Sequence, residues 1–249
     1  MAPTHSSQSI FHSYRHFEEF TEGREYVRNY FGRLAGLDVL DAGCGSASWL
    51  FDLTACDVTG IDVSPKQLDR NRLLKAKVCA DLHDYENEGW LEHFDLILCL
   101  DVLEHLKTPA LVVEKFISWM KPDARLVLAY PNPQSLKGRV TKYSPLIFHK
   151  LFYRISIGTP LRDDCDDRGP FNTVLSPDIE LLNLAGLLEA HSFKVDLLVS
   201  IESYQNKLIK RYFSTPMVNH LNRLFLRELR DHVDAAATDF ILVASRTDH

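Results

Sequence analysis

The stretch that decides the fold is Val39-Leu40-Asp41-Ala42-Gly43-Cys44-Gly45-Ser46-Ala47-Ser48-Trp49. An apolar run that ends in an acid and passes through two glycines reads as a strand entering a tight turn before a helix. Gly43 and Gly45 let the backbone turn sharply and let a ligand lie against bare main chain. The N–H groups opening a helix over 47–54 would then hold a carboxylate or phosphate.

Outward from this turn the same rhythm repeats. Apolar runs at Leu37–Leu40, Val58–Ile61, Ala76–Cys79, Phe94–Leu100 and Arg125–Tyr130 alternate with helical stretches at 47–54, 66–75 and 109–120. Ser64-Pro65 starts the second helix, with proline in its first turn. Buried-looking runs alternating with helices specify a parallel sheet covered on both faces. A helix at 178–191, a strand at 193–200 and a closing strand Asp239–Ser245 follow. The expected fold is α/β: a Rossmann-like, doubly wound, seven-stranded sheet, mostly parallel, with the last strand antiparallel and a helical lid insertion. We read residues 1–249 as one domain, with an N-terminal helical region at 10–34 broken near Gly23, a lid at 131–177 and a second helical insertion at 202–238.

A carboxylate at the end of the second strand, Asp62, can accept both hydroxyls of a ribose. The dinucleotide fingerprint needs glycine or alanine three positions beyond the second glycine, and Ser48 stands there, so a nicotinamide oxidoreductase is disfavoured. No Tyr-x-x-x-Lys pair stands at a suitable position to rescue that reading. What remains is Asp-x-Gly-x-Gly-x-Ala, Asp41 to Ala47.

This pattern resembles motif I of the class I S-adenosylmethionine-dependent methyltransferases, and further segments match in order. Gly60-Ile61-Asp62-Val63-Ser64 is similar to the second-strand motif, and Ala80-Asp81-Leu82 to the segment that meets adenine. Phe94–Leu106 (FDLILCLDVLEHL) is close to the fourth-strand motif of the branch containing ubiquinone-biosynthesis O-methyltransferases. Leu126–Pro131 with Asn132 resembles the fifth-strand motif, and Leu187–Val195 (LLEAHSFKV) the entry to strand six, with Ser192 where the family has glycine. The resemblance implies S-adenosylmethionine as cofactor and S-adenosylhomocysteine as product. Its binding residues would be Asp41, Gly43, Cys44, Gly45, Asp62, Val63, Asp81, Leu82, Asp101 and Val102. The expected activity is methyl transfer to a small molecule, most readily at a hydroxyl oxygen. Nitrogen, carbon or sulfur acceptors, a lipid or protein acceptor, and cofactor binding without transfer stay open.

Methyl transfer from a sulfonium is an in-line displacement governed by placement of the acceptor, so one base suffices. His105 follows the fourth strand at the carboxyl edge, where substrates bind in such folds, and an imidazole is suited to taking a proton from a hydroxyl. Asp101, Glu104 and His105 could instead share magnesium, the weaker alternative, because oxygen-rich ligands suit that ion; no metal is the working expectation.

Between Ala124 and Arg162 the chain carries Arg125, Lys137, Arg139, Lys142, Lys150, Arg154 and Arg162 and no acid, interleaved with aromatics. We read this as a lid that favours an acidic or amphipathic acceptor, with transient membrane contact as a further use. Tyr143, His149 and Tyr153 are its candidate acceptor contacts. The acidic run Asp163-Asp164-Cys165-Asp166-Asp167 lacks the spacing of a calcium loop. Lys207, Lys210, Arg211, Tyr212 and Phe213 form a second basic-aromatic cluster that would flank the same mouth.

Composition sets outer bounds. With 45% hydrophobic and 25% charged residues, 249 residues make an ordinary globular chain able to bury a core. A net charge of −6 argues against nucleic acid as partner. Cysteines at 44, 56, 79, 99 and 165 form no C-x-x-C pair, which fits a reducing compartment rather than a disulfide framework. The start, MAPTHSSQS, does not read as a signal peptide. A cytoplasmic monomer or homodimer is therefore expected.

Overall fold

The computed structural model describes residues 10–143 and 173–247. Its strands are β1 (Tyr14–Phe17), β2 (Asp38–Ala42), β3 (Asp57–Asp62), β4 (Ala76–Cys79), β5 (Phe94–Leu100), β6 (Met120–Pro131), β7 (Phe193–Ile201) and β8 (Asp239–Arg246). They form one sheet in the order β1-β7-β8-β6-β5-β2-β3-β4. Pairings are parallel except those of β8 with β6 and β7. Among the described residues the helices are α1 (Phe20–Phe31), α2 (Pro65–Arg70), α3 (Pro109–Trp119), α4 (Leu136–Tyr143), α5 (Leu181–Ala190), α6 (Tyr204–Tyr212) and α7 (Thr215–Leu226).

Alternate residues of the central strands bury on opposite faces, as a sheet covered on both sides requires. Leu40, Ile97, Leu128 and Leu242 join α3 and α5 through Phe116, Trp119, Leu184 and Leu188. Val39, Leu98, Val127 and Val243 face Val27 of α1 and the irregular segment carrying Leu50, Phe51 and Leu53. The chain leaves β2 outward to β3 and β4, then returns to β5 on the other side of β2. That reversal opens a crevice beyond the carboxyl ends of β2 and β5, where open α/β sheets bind ligands.

The structure corrects the sequence reading in several places. The sheet has eight strands rather than seven, because Tyr14–Phe17, expected to be helical, pairs in parallel with Leu198–Ile201 of β7. Gly23 does not break the N-terminal helix. It lies buried inside α1, where an added Cβ would stand 2.8 Å from Ile201, so glycine serves close helix–strand approach. No helix forms at 47–54. A helix rises only about 1.5 Å per residue, so Ser46–Cys56 would exhaust its length on the return to β3 and leave nothing for turns. Asp52 instead captures the Thr54 N–H (3.1 Å) and hydroxyl (2.8 Å) in a local turn. The second helix ends at Arg70, not 75, because Asn71 turns its side chain to the Leu73 N–H at 3.2 Å. The 202–238 segment is α6, α7 and a 3-10 turn at Arg227–Leu229, with Arg230–Thr238 outside helix.

One departure from the family pattern keeps the expected geometry. Ser192, where the family pattern has glycine, adopts the left-handed conformation that the turn into β7 demands, with φ 62°. Its carbonyl accepts from the Thr247 N–H (2.8 Å) and hydroxyl (2.9 Å), which tie the chain's end to that turn. The lid expected at 131–177 falls largely outside the described residues; of it, α4 and the segment from Thr173 are seen.

Candidate functional site

Gly43 has φ 71° and Gly45 φ 50°, so both turn through a region that side chains disfavour. The N–H groups of Gly43 (2.7 Å) and Cys44 (3.2 Å) both donate to the Ile61 carbonyl. An added Cβ on Gly43 would stand 2.3 Å from Val102, whereas one on Gly45 would meet nothing within 4 Å. The turn is thus closed behind Gly43 and open in front of Gly45. Cys44 points its sulfur at Gly60 in the floor between β2 and β3, leaving only its main chain at the turn.

Asp62, at the end of β3, reaches across to this turn. One of its carboxylate oxygens accepts from the Gly45 N–H at 2.9 Å and the other from the Ser64 N–H at 2.8 Å. Asn71, wholly buried, donates to the Gly45 carbonyl at 3.3 Å. Asp41 lies beneath, buried, with no hydrogen-bond donor among the described residues. Burial, with the charge of Asp62 adding to it, pushes its carboxyl up to about 7. Val63 beside Asp62 is exposed.

The loop after β4 forms the next wall. Asp81 accepts from the His83 N–H (2.9 Å) and meets the His83 Nδ1 (3.0 Å), while His83 Nε2 accepts from the Thr108 N–H at 3.3 Å. In the neutral ring Nδ1 therefore carries the proton and donates to Asp81. The His83 backbone bond is the main cause holding the Asp81 carboxyl below its usual range. Leu82 is buried beneath. Lys115 of α3 pins this loop from behind, donating to the carbonyls of Leu82 (3.3 Å), His83 (2.6 Å) and Tyr85 (3.2 Å).

Beyond β5 stand Asp101, Val102 and the 3-10 turn Leu103–His105. Asp101 accepts from the Trp49 indole at 3.0 Å. Desolvation first, and the charge of Asp239 second, push its carboxyl up to about 6, against Lys137 and the Trp49 bond. Lys137 of α4 holds Asp239 at 2.6 Å. Glu104 is buried with Oε2 unpartnered; desolvation and then Asp101 push its carboxyl up to about 8. His105 is partly exposed, its Nε2 3.9 Å from Glu104 Oε1. Among the described residues no three His, Cys, Asp or Glu side chains converge as a metal site.

The expected cofactor residues therefore come together along the carboxyl edge of β2 to β5. Tyr143 ends α4, and its side chain, like His149 and Tyr153, lies outside the described residues. Asn71 and Lys115 escaped sequence reasoning. Asn71 carries no local signal, but Lys115 is the sole cation of a mostly apolar helix, PALVVEKFISW, beside its single acid Glu114.

Comparison with known proteins agrees with this geometry. Residues 14–174 match the family model described as a methyltransferase domain. A ubiquinone biosynthesis O-methyltransferase of Photobacterium profundum is 31% identical over 116 residues, 43% of this chain and 49% of that protein. An (S)-coclaurine N-methyltransferase of Papaver somniferum is 36% identical over 107 residues, 38% of this chain and 30% of that one. The chain thus spans under half the length of these curated relatives. A SAM-dependent methyltransferase structure from Archaeoglobus fulgidus superposes with TM-score 0.55 at 18% identity, covering 92% of this chain and 95% of that one, which shows the shared fold.

Proposed function

The chain belongs to the methyltransferase-domain family, among the class I S-adenosylmethionine-dependent methyltransferases, and from that premise we propose that it methylates a hydroxyl oxygen of a small-molecule acceptor. The observation that carries the cofactor part of this reading is Asp41, a buried carboxylate with no hydrogen-bond donor among the described residues, beneath a turn that is open in front of Gly45. A buried carboxylate without a partner is costly, and a cationic amino group is the partner it lacks. The amino acid end of S-adenosylmethionine carries such a group, so the residues fit the cofactor.

Bound S-adenosylmethionine supplies a methyl group activated on a sulfonium. Asp41 and the bare main chain of Gly43–Gly45 hold its amino acid end. Asp62 takes the ribose hydroxyls on lone pairs left beyond its two backbone bonds, Asp81 takes the adenine amino group, and Leu82, Val63 and Val102 flank the base. His105 orients the acceptor hydroxyl and receives its proton; Glu104 Oε1, 3.9 Å away, faces the imidazole from the buried side. A second reading, an amine acceptor, is favoured by Asp101, Glu104 and Asp239 gathering at this edge with Lys137 as the counter-charge.

Calorimetric titration with S-adenosylhomocysteine, NAD and NADP tests the premise: only the first binds, and Asp62→Ala weakens it about a hundredfold, from the loss of charged hydrogen bonds. Unchanged affinity overturns the ribose assignment. With labelled cofactor and hydroxylated acceptors, His105→Ala lowers turnover about 10²–10⁴-fold without moving that affinity. Turnover that survives the change removes the base, and amine acceptors turning over faster favour the second reading.

A further inference from the structure

The pair α6–α7 concentrates positive charge. Residues 204–230 hold Lys207, Lys210, Arg211, Arg223, Arg227 and Arg230 against the single acid Glu228, in a chain whose net charge is −6. Lys207 and Lys210 are taken up by Glu19 (2.5 Å) and Glu202 (2.8 Å). Arg211, Arg223 and Arg227 are exposed and pair with no carboxylate among the described residues. The same two helices and the turn between them also expose apolar side chains: Tyr212 is 75% exposed, Leu224 60%, Phe213 55% and Met217 42%.

This face is not outward by accident of loose packing. Val218, Asn222 and Leu226 bury the opposite side of α7, and Asn206 that of α6. Asn222 donates to Asn206 at 3.4 Å, Asn206 donates to Glu202 at 2.6 Å, and Asn222 Oδ1 accepts from the Leu136 N–H at 3.0 Å. Rolling either helix to hide its aromatics would strand these buried amides at about 1–3 kcal/mol each. The polar interior therefore fixes Tyr212 and Phe213 at the corner between the helices, pointing away from the core.

We propose that the α6–α7 corner is a docking surface for an anionic phospholipid membrane, with Tyr212, Phe213, Met217 and Leu224 entering the headgroup region and Arg211, Arg223 and Arg227 meeting lipid phosphates. Aromatic residues with a polar edge, beside arginines, suit the boundary between headgroup and acyl chain. A second copy of the chain fits less well, since a two-fold contact through this face would set its arginines against themselves. Through its buried side α7 also holds α4, by Asn222 and by Arg139, whose guanidinium lies 5.0 Å from the Phe225 ring, and Lys137 of α4 holds Asp239.

Flotation of the full-length protein with vesicles tests this, with S-adenosylhomocysteine affinity measured on the same samples. The protein floats with phosphatidylcholine–phosphatidylglycerol vesicles, less with pure phosphatidylcholine, and is released by high salt. The triple change Arg211→Gln, Arg223→Gln and Arg227→Gln lowers partitioning about a hundredfold, at roughly fivefold per cation. Tyr212→Ser with Phe213→Ser abolishes binding to both vesicle types. Neither variant moves cofactor affinity, so loss of docking is distinct from failure of the methyltransferase reading. No flotation of the wild-type chain overturns the proposal. So does flotation that both variants leave unchanged, or a dimer in solution that depends on Tyr212 and Phe213.

Discussion

The two sides of the crevice are built differently. Toward β4 the sheet is thin: β3 mixes exposed with buried positions, β4 buries none of its residues, α2 has six residues, and the return from β2 to β3 has no helix. Toward β8 the strands are long and buried, packed under α3 and α5 around Phe116, Tyr130 and Phe240. The first side is held by polar ties, Asp62 to Gly45, Asn71 to Gly45 and Lys115 to three carbonyls. The second is held by apolar burial. Hydrogen bonds are worth about 1 kcal/mol each and are readily exchanged for a ligand's, whereas a packed core resists rearrangement. The cofactor side is therefore expected to yield to its ligand while the other side holds the frame.

The largest effect that sharpens this contrast is Phe116→Ala. It removes a fully buried ring and lowers stability by about 3–5 kcal/mol in urea denaturation, with cofactor affinity of the folded fraction unchanged. An affinity loss that tracks the stability loss would mean the two sides are not separable. Next comes pH. Raising Asp41 from 3.8 to about 7 means the folded state binds the extra proton. Its stability contribution is present below the ordinary carboxylate range and is lost as pH rises through about 7. Binding of an amino cation needs the ionised form, so S-adenosylhomocysteine affinity rises up to about tenfold per pH unit below that value. Asp41→Asn flattens both profiles, read by calorimetry and by thermal melts.

Smaller is Lys115→Met, which frees the carbonyls of the loop after β4. It lowers cofactor affinity about fivefold and stability by about 1–2 kcal/mol; loss of stability alone would make the lysine a core prop and not a wall of the site. Smallest is Ser192→Gly on the packed side, which relieves a positive φ and raises stability by about 0.5–1 kcal/mol in the same melts. A loss would show that the serine side chain contributes more than its backbone costs.

The packed side and the switch point were legible in the sequence because they rest on repetition. Apolar runs at strand spacing report a buried sheet directly, and an acid at each strand end marks the edge, so Asp41, Asp62, Asp81 and Asp101 were found together. Three features were not legible because they depend on partners distant in sequence. Tyr14–Phe17 becomes a strand only because β7 offers it an edge. Gly23 reads as a helix breaker until Ile201 is seen against it. The missing helix at 47–54 is a matter of span, since apolar spacing at Trp49, Leu50 and Leu53 suits a helix but the distance back to β3 leaves no room for one.

The hydrogen bond from Trp49 to Asp101 also makes the molecule its own optical gauge. Trp90 and Trp119 sit in the apolar core with ring centroids 5.0 Å apart, remote in character from any solvent change. Trp49 alone joins the two sides, its indole on Asp101 and its ring 5.0 Å from Phe20. Emission from this one residue thus reports a ligand arriving at the crevice without a label, and Trp49→Phe is the blank against which that signal is taken.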